Sequence, residues 1–236
     1  MEEKPKKSGT VGAVLGVLVI IVVLGVLGYF GVSTLAKKSD LTEQKEGTKY
    51  SLEKGTWTSF RAKYSLSWGE ATTFKHTVNF IPTAYEHYFL VADKELKNYV
   101  LVRADKNWYD KNFTDGVAND PDGLLVEGYV RTADVKVRDD ISGRISNMRT
   151  ELLREYGVTL SGTASEYVDT IATRISIYQI LLFVLPIIGI ILFWLISRGK
   201  LGVRVDSTFG KIFFGAATVF FIAYACFAIH VVSMMM

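Results

Sequence analysis

The sequence predicts an α+β integral membrane protein. Three transmembrane helices accompany one β-rich antiparallel soluble domain, which carries a C-terminal amphipathic helix and a long stalk helix continuous with the second span. Three observations predict this. Uncharged runs of 29, 23 and 25 residues follow Lys7, Arg174 and Lys211, and each exceeds the roughly 20 residues a helix needs to cross ~30 Å of hydrocarbon. Between the first two runs, apolar and polar side chains alternate as they do along strands. After Asp139 the apolar spacing becomes helical.

Taken in order, residues 1–10 read as a cytoplasmic tail bearing Lys4, Lys6 and Lys7, and 11–34 as the first span. The basic start and Thr34-Leu35-Ala36 have the look of a cleavable export signal. The apolar core is longer than the ~7–15 residues such signals use, so the segment is read as an uncleaved anchor. Gly12 and Gly16 form a Gly-x-x-x-Gly pair that lets another helix approach closely, in self-association or against the other spans. The polar stretch 37–49 predicts a loose link to the soluble domain, 35–163.

Within that domain Phe60, Ala62, Tyr64, Leu66 and Trp68 line one face of an extended stretch over 58–68, and Gly69-Glu70 looks like a turn. Phe74, His76, Val78 and Phe80 repeat the pattern up to Pro82, which ends the strand or marks an edge. Residues 85–92 and 98–104 read as a hairpin around a charged turn. Leu124 to Arg138 reads as extended, with Ala133, Val135 and Val137 inward and Gly128 as a bulge. Ile141, Ile145, Met148, Leu152 and Tyr156 then share a helical stripe that stops at Gly157.

Thr163-Ala164-Ser165-Glu166 has the spacing of a capping box. No breaker follows before Pro186, so a stalk helix over 164–176 is expected to run into the second span, 177–197, and to join the domain to it stiffly. A basic loop over 198–211 leads to the third span, 212–235. Short segments rich in lysine and arginine stay in the cytoplasm. Lys4, Lys6 and Lys7 together with Arg198, Lys200, Arg204 and Lys211 therefore place the N-terminus in the cytoplasm and residues 36–175 outside the cell membrane, against the weaker opposing set Lys37, Lys38 and Arg174. Tyr29, Phe30 and Tyr178 at one level and Trp194 at the other suit the two interfaces.

Charge is distributed to match. The chain carries a net +3, but residues 39–175 are net acidic and the basic excess sits at the membrane borders. That pattern implies a lipid bilayer as partner and argues against nucleic acid. The single cysteine, Cys226, lies in the third run, so the domain has no internal disulfide, which leans towards a bacterial extracytoplasmic setting or a reducing compartment.

Chemistry-bearing residues are few. His76 shares a face with Phe74 and Val78 and is expected to pack in the core. His87 beside Glu86 is the weak catalytic candidate, since an imidazole next to a carboxylate can move protons once a nucleophile is supplied. Asp115, Asp120 and Asp122 could offer oxygen ligands to a hard cation. The order of an EF-hand loop is missing, and Asp, Asn, Pro and Gly together make an ordinary surface turn. His230 near the outer interface is explained by snorkelling to water. No phosphate loop, nucleophile elbow, zinc spacing or paired cysteine is present, and no cofactor is expected.

The segments Tyr88-Phe-Leu-Val-Ala-Asp93, Tyr99 to Trp108 and Leu125-Val-Glu-Gly-Tyr-Val130 resemble the middle of small bacterial membrane-anchored proteins grouped as a domain of unknown function. That resemblance implies a compartment and brings no activity or site residues with it. The expected function is a non-enzymatic, membrane-anchored binding or assembly module that meets a protein partner or associates with itself through its spans. Two alternatives are an envelope hydrolase using His87 and nearby acids, and a subunit of a small oligomeric channel or transporter.

Overall fold

The computed structural model describes residues 8–67, 69–78, 81–197 and 208–235. Lys4, Lys6, Lys7, Arg198, Lys200 and Arg204 lie outside the described residues, as do the side chains of Lys211 and Trp194 and the surroundings of Gly12 and Gly16. In chain order the elements are α1 (Ser8–Ala36), a 3₁₀ turn (Lys37–Asp40), β1 (Thr42–Glu43), β2 (Trp57–Ala62), β3 (Tyr64–Ser65), β4 (Thr72–Val78), β5 (Ile81–Ala92) and β6 (Tyr99–Ala104). There follow α2 (Trp108–Asn112), β7 (Phe113–Thr114), β8 (Val117–Ala118), β9 (Leu124–Thr132), α3 (Val135–Tyr156), β10 (Glu166–Asp169), α4 (Ala172–Ser197) and α5 (Thr208–Met235). The fold is mixed α+β, and it divides into two compact units. One holds Thr34–Ile175 with the end of α5 from Val232, the other the remaining helical segments.

In the first unit the strands run in the order β1-β2-β9-β10-β6-β5-β3-β8-β7, with β4 added on β5. The extended stretch expected over 58–68 is two strands bent at Lys63, whose N–H donates to Ala92 O at 2.8 Å. Because β2 pairs with β9 while β3, one residue on, pairs with β5, the ladders between them close into a small barrel. Side chains alternate across a strand, so Phe60, Phe89, Val91, Val102, Val126 and Val168 fill its interior. The opposite face carries Tyr88, Leu101 and Tyr167 and packs under Val137, Ile141 and Ile145 of α3. Full burial of Phe89 makes it a wedge whose truncation to alanine costs about 3–5 kcal/mol.

Several expectations are corrected. The stalk helix expected over 164–176 forms only from Ala172, where it is the start of α4. Glu166–Asp169 is a strand, parallel to β6 and antiparallel to β9, and Thr163 Oγ1 accepts from Ser165 N at 2.9 Å, turning the chain instead of capping a helix. Two ladders of backbone hydrogen bonds outweigh a local capping signal worth about 1 kcal/mol. The sheet is accordingly mixed and not purely antiparallel. The 37–49 segment is no loose link, since β1 pairs with β2 and Gln44 N donates to Ser59 O at 2.8 Å.

The extended stretch ends at Thr132. Asp134 caps α3 by accepting from Lys136 N, so Val135 and Val137 lie in its first turns, and Val137 simply extends the Ile141 and Ile145 stripe. The stripe stops short of Tyr156, which is exposed, and Gly157 ends the helix at φ 67° as expected. Gly128 is no bulge, for it sits in regular register with Thr58. A Cβ there would lie 2.6 Å from Val168 Cγ1 and 2.7 Å from Asp169 O, so glycine is what allows β10 to approach β9. The register shift falls instead between His76 and Thr77.

The helical unit has two helices long and apolar enough to cross a membrane, α1 and α4. α5 contains a shorter apolar stretch, Val219–Met234, among its described residues. Glycines of α1 let α4 approach: a Cβ on Gly31 would lie 2.6 Å from Ser176 O, and one on Gly28 2.9 Å from Phe183 Cβ. Pro186 sits inside α4 and has no N–H for the carbonyl four residues back. That carbonyl, Leu182 O, accepts instead from the Tyr224 hydroxyl of α5 at 2.7 Å.

Candidate functional site

The central strand β6 reads Tyr-Val-Leu-Val-Arg-Ala, and all six residues are buried. Period two puts Tyr99, Leu101 and Arg103 on the face that α3 covers. A guanidinium at a core position costs several kcal/mol unless counter-charges meet it, and neighbouring strands supply them. Register sets Arg103 beside Tyr88 of β5 and Asp169 of β10. Its Nη2 lies 2.6 Å from Glu86 Oε1 and its Nη1 3.6 Å from Asp169 Oδ2. Nη2 also donates to Met234 O at 2.8 Å. Arg131 of β9 completes the array, its Nε donating to Asp169 Oδ2 at 2.8 Å. Two carboxylates thus face two guanidiniums, and the array is neutral within itself.

Both Glu86 oxygens are committed, whereas Asp169 uses Oδ2 alone and its Oδ1 is buried without a hydrogen-bond partner. Glu86 is ion-paired with Arg103 through one oxygen and accepts from the Tyr88 hydroxyl at 2.8 Å on the other, with His76 Nε2 3.5 Å away. Full burial pushes the Asp169 carboxyl pKa up, a push that Arg103 and Arg131 only partly offset. Burial alone would lower the Arg103 pKa, but Asp169, Tyr167 and Glu86 raise it further, so it stays charged. Burial likewise raises both tyrosine hydroxyls, Tyr167 to about 12. Arg103 and the two tyrosines therefore keep their protons through the physiological range.

Beside this array opens a cavity of about 350 Å³, walled by Glu86, Arg103, Arg131, Tyr167, Lys54 and Asp134, among others. Asp134 is the α3 cap described above, so the cavity lies where the helix cover of that face begins. Arg131 is half-buried, and its guanidinium lies over the Tyr129 ring, 5.5 Å from the centroid.

The structure separates the sequence candidates. Glu86 and His87 are consecutive on β5 and point to opposite faces, so no pair forms between them. His87 meets Glu70 instead, Nδ1 to Oε1 at 3.0 Å, and stacks on Tyr85. Thr73 Oγ1 lies 3.4 Å from the same nitrogen and also donates to Glu70. Asp115 occupies the β7–β8 turn at φ 49°, and Asp120 Oδ1 accepts from Asp122 N at 2.9 Å. Among the described residues no group of three or more His, Cys, Asp or Glu side chains could hold a metal ion. Arg103, Arg131 and Asp169 escaped the sequence reading. Their signal was an arginine at an inward position of an otherwise apolar strand.

No protein-family model, curated protein or solved structure matches this chain.

Proposed function

We propose that this chain is a membrane-anchored binding module that takes a small ligand in the cavity beside Arg103 and Arg131. The observation that carries this reading is a rigid, internally neutralised wall. Four charged groups fix one another on four adjacent strands, and a preorganised site binds without the cost of ordering its side chains. Glu86 is not free to act as a general base in this cavity, because both its oxygens are taken up by Arg103 and Tyr88.

In the finer form of the proposal the protein crosses the cell membrane three times, through α1, α4 and α5, with its N-terminus in the cytoplasm and the barrel domain outside. Support comes from the lysines and arginines of the short segments, and from the residues that follow α1, precede α4 and end α5 falling in the barrel's own unit.

The full-length protein in mild detergent, screened against a panel of small metabolites by thermal shift, tests the site. A hit should slow backbone hydrogen exchange in residues 129–132 and 166–169. Hits that protect only other segments, or that are turned over, overturn the reading.

The envelope-hydrolase reading survives in altered form, around His87 with Glu70 in place of Glu86, because a carboxylate 3.0 Å from Nδ1 orients an imidazole. Unchanged hydrolytic activity in His87→Ala would eliminate it.

A further inference from the structure

We propose that the cavity takes an anionic, acceptor-rich group, a carboxylate or a phosphate on a small molecule, held by Arg131, Lys54 and the Tyr167 hydroxyl. The inference rests on the cavity being the binding site, and it names the ligand's chemistry. The reason is an imbalance in what the wall has left to offer.

Its carboxylates have little left to offer: both Glu86 oxygens meet Arg103 and Tyr88, and Asp134 receives Lys136 N on Oδ1, which leaves its second oxygen as the open carboxylate oxygen on the wall. Its donors have more. Only the Nε of Arg131 is used in a hydrogen bond, and its two terminal nitrogens meet no hydrogen-bonding partner among the described residues. The same holds for the Tyr167 hydroxyl and for Lys54 Nζ, both on the cavity wall. A cationic ligand would find one open carboxylate oxygen, on Asp134. An oxyanion would satisfy donors that otherwise face only water.

Geometry favours the same class. Asp169 grips Arg131 by Nε and the Tyr129 ring lies beneath its plane. The guanidinium therefore presents its remaining two nitrogens as a fixed fork, the shape that recognises carboxylate or phosphate with two parallel bonds. The volume, about 350 Å³, falls within the range of small-molecule sites.

The test uses the full-length protein in mild detergent at constant ionic strength, titrated separately with inorganic phosphate, succinate, ethanolamine and glycerol. Thermal unfolding reports affinity, and hydrogen exchange over residues 129–132 and 166–169 reports place. Phosphate or succinate should raise the midpoint saturably and protect both segments, and which of the two does so identifies the source of the oxyanion. Arg131→Gln should weaken that anion roughly tenfold or more. Lys54→Gln, a change on an exposed side chain that leaves the fold alone, should weaken it severalfold. The anion inference is overturned if neither anion acts saturably, or if the effect is unchanged in Lys54→Gln and Arg131→Gln alike. Protection of these segments by ethanolamine or glycerol alone would overturn it while leaving the binding reading standing. Protection by none of the four probes, together with no cavity-directed hit from the metabolite panel, would remove both.

Discussion

A guanidinium inside a sheet is stable only while its counter-charges stay with it. Arg103 is 3% exposed, with Glu86 at 2.6 Å and Asp169 at 3.6 Å. Arg103→Met strips both acids of that partner, and we expect a loss of about 3–5 kcal/mol of unfolding free energy by chemical denaturation. Replacing the set together, Glu86→Leu with Arg103→Met, Asp169→Leu and Arg131→Met, removes the need for pairing and should cost far less. A cost below about 1 kcal/mol for the single change would mean the array is not desolvated.

At Glu70 the dependence is on pH. Burial pushes its carboxyl up, but hydrogen bonds from Thr73 and His87 outweigh this and hold it below the usual value of 4.5. A depressed folded-state value means the contribution is present above the unfolded-state pKa and is lost as pH falls through the folded one. Glu70→Gln should therefore be less stable than wild type near neutrality, and the gap should narrow as pH drops below 4.5. Thermal unfolding across that window checks it, and a gap that widens in acid would refute the assignment.

Between elements, the hydrogen bond from Tyr224 to Leu182 O stands in for the one Pro186 cannot make. A buried carbonyl left unmet is costly, and Leu182 is fully buried, so Tyr224→Phe should destabilise the helical unit by about 1 kcal/mol. Pro186→Ala returns an N–H to that carbonyl, and in its presence Tyr224→Phe should become nearly neutral. A double-mutant cycle measured by unfolding in detergent would show no coupling if the two residues do not share the carbonyl.

The same scale shows how far local pattern carries. The α3 stripe and its glycine stop were legible because helix periodicity and the C-terminal signal lie within one contiguous segment. β10 was not, because four residues become a strand only when β6 and β9 are there to receive them. The candidate site was legible only at Glu86. Arg103, Arg131 and Asp169 acquire meaning from register between distant strands.

For the molecule as a whole, two helices able to cross a membrane and a barrel domain raise one question of placement. The three-span, outward reading puts Lys94, in the exposed β5–β6 turn, in contact with the extracellular medium. An impermeant amine reagent applied to intact cells should then modify Lys94 as fully as it does after lysis. Modification only after lysis would invert the orientation and place the proposed ligand in the cytoplasm.

The apolar runs, the basic borders and the alternating stretches were determined by the sequence itself. Hydropathy and side-chain period are properties of neighbouring residues and need no knowledge of the fold. Tertiary structure alone decided that Glu166–Asp169 is a strand, that β2 and β3 close a barrel through Lys63, and that Arg103 meets Glu86 and Asp169. Those outcomes depend on which distant backbone groups and charges find each other when water is excluded. That free energy resides in the pairing and in neither segment alone.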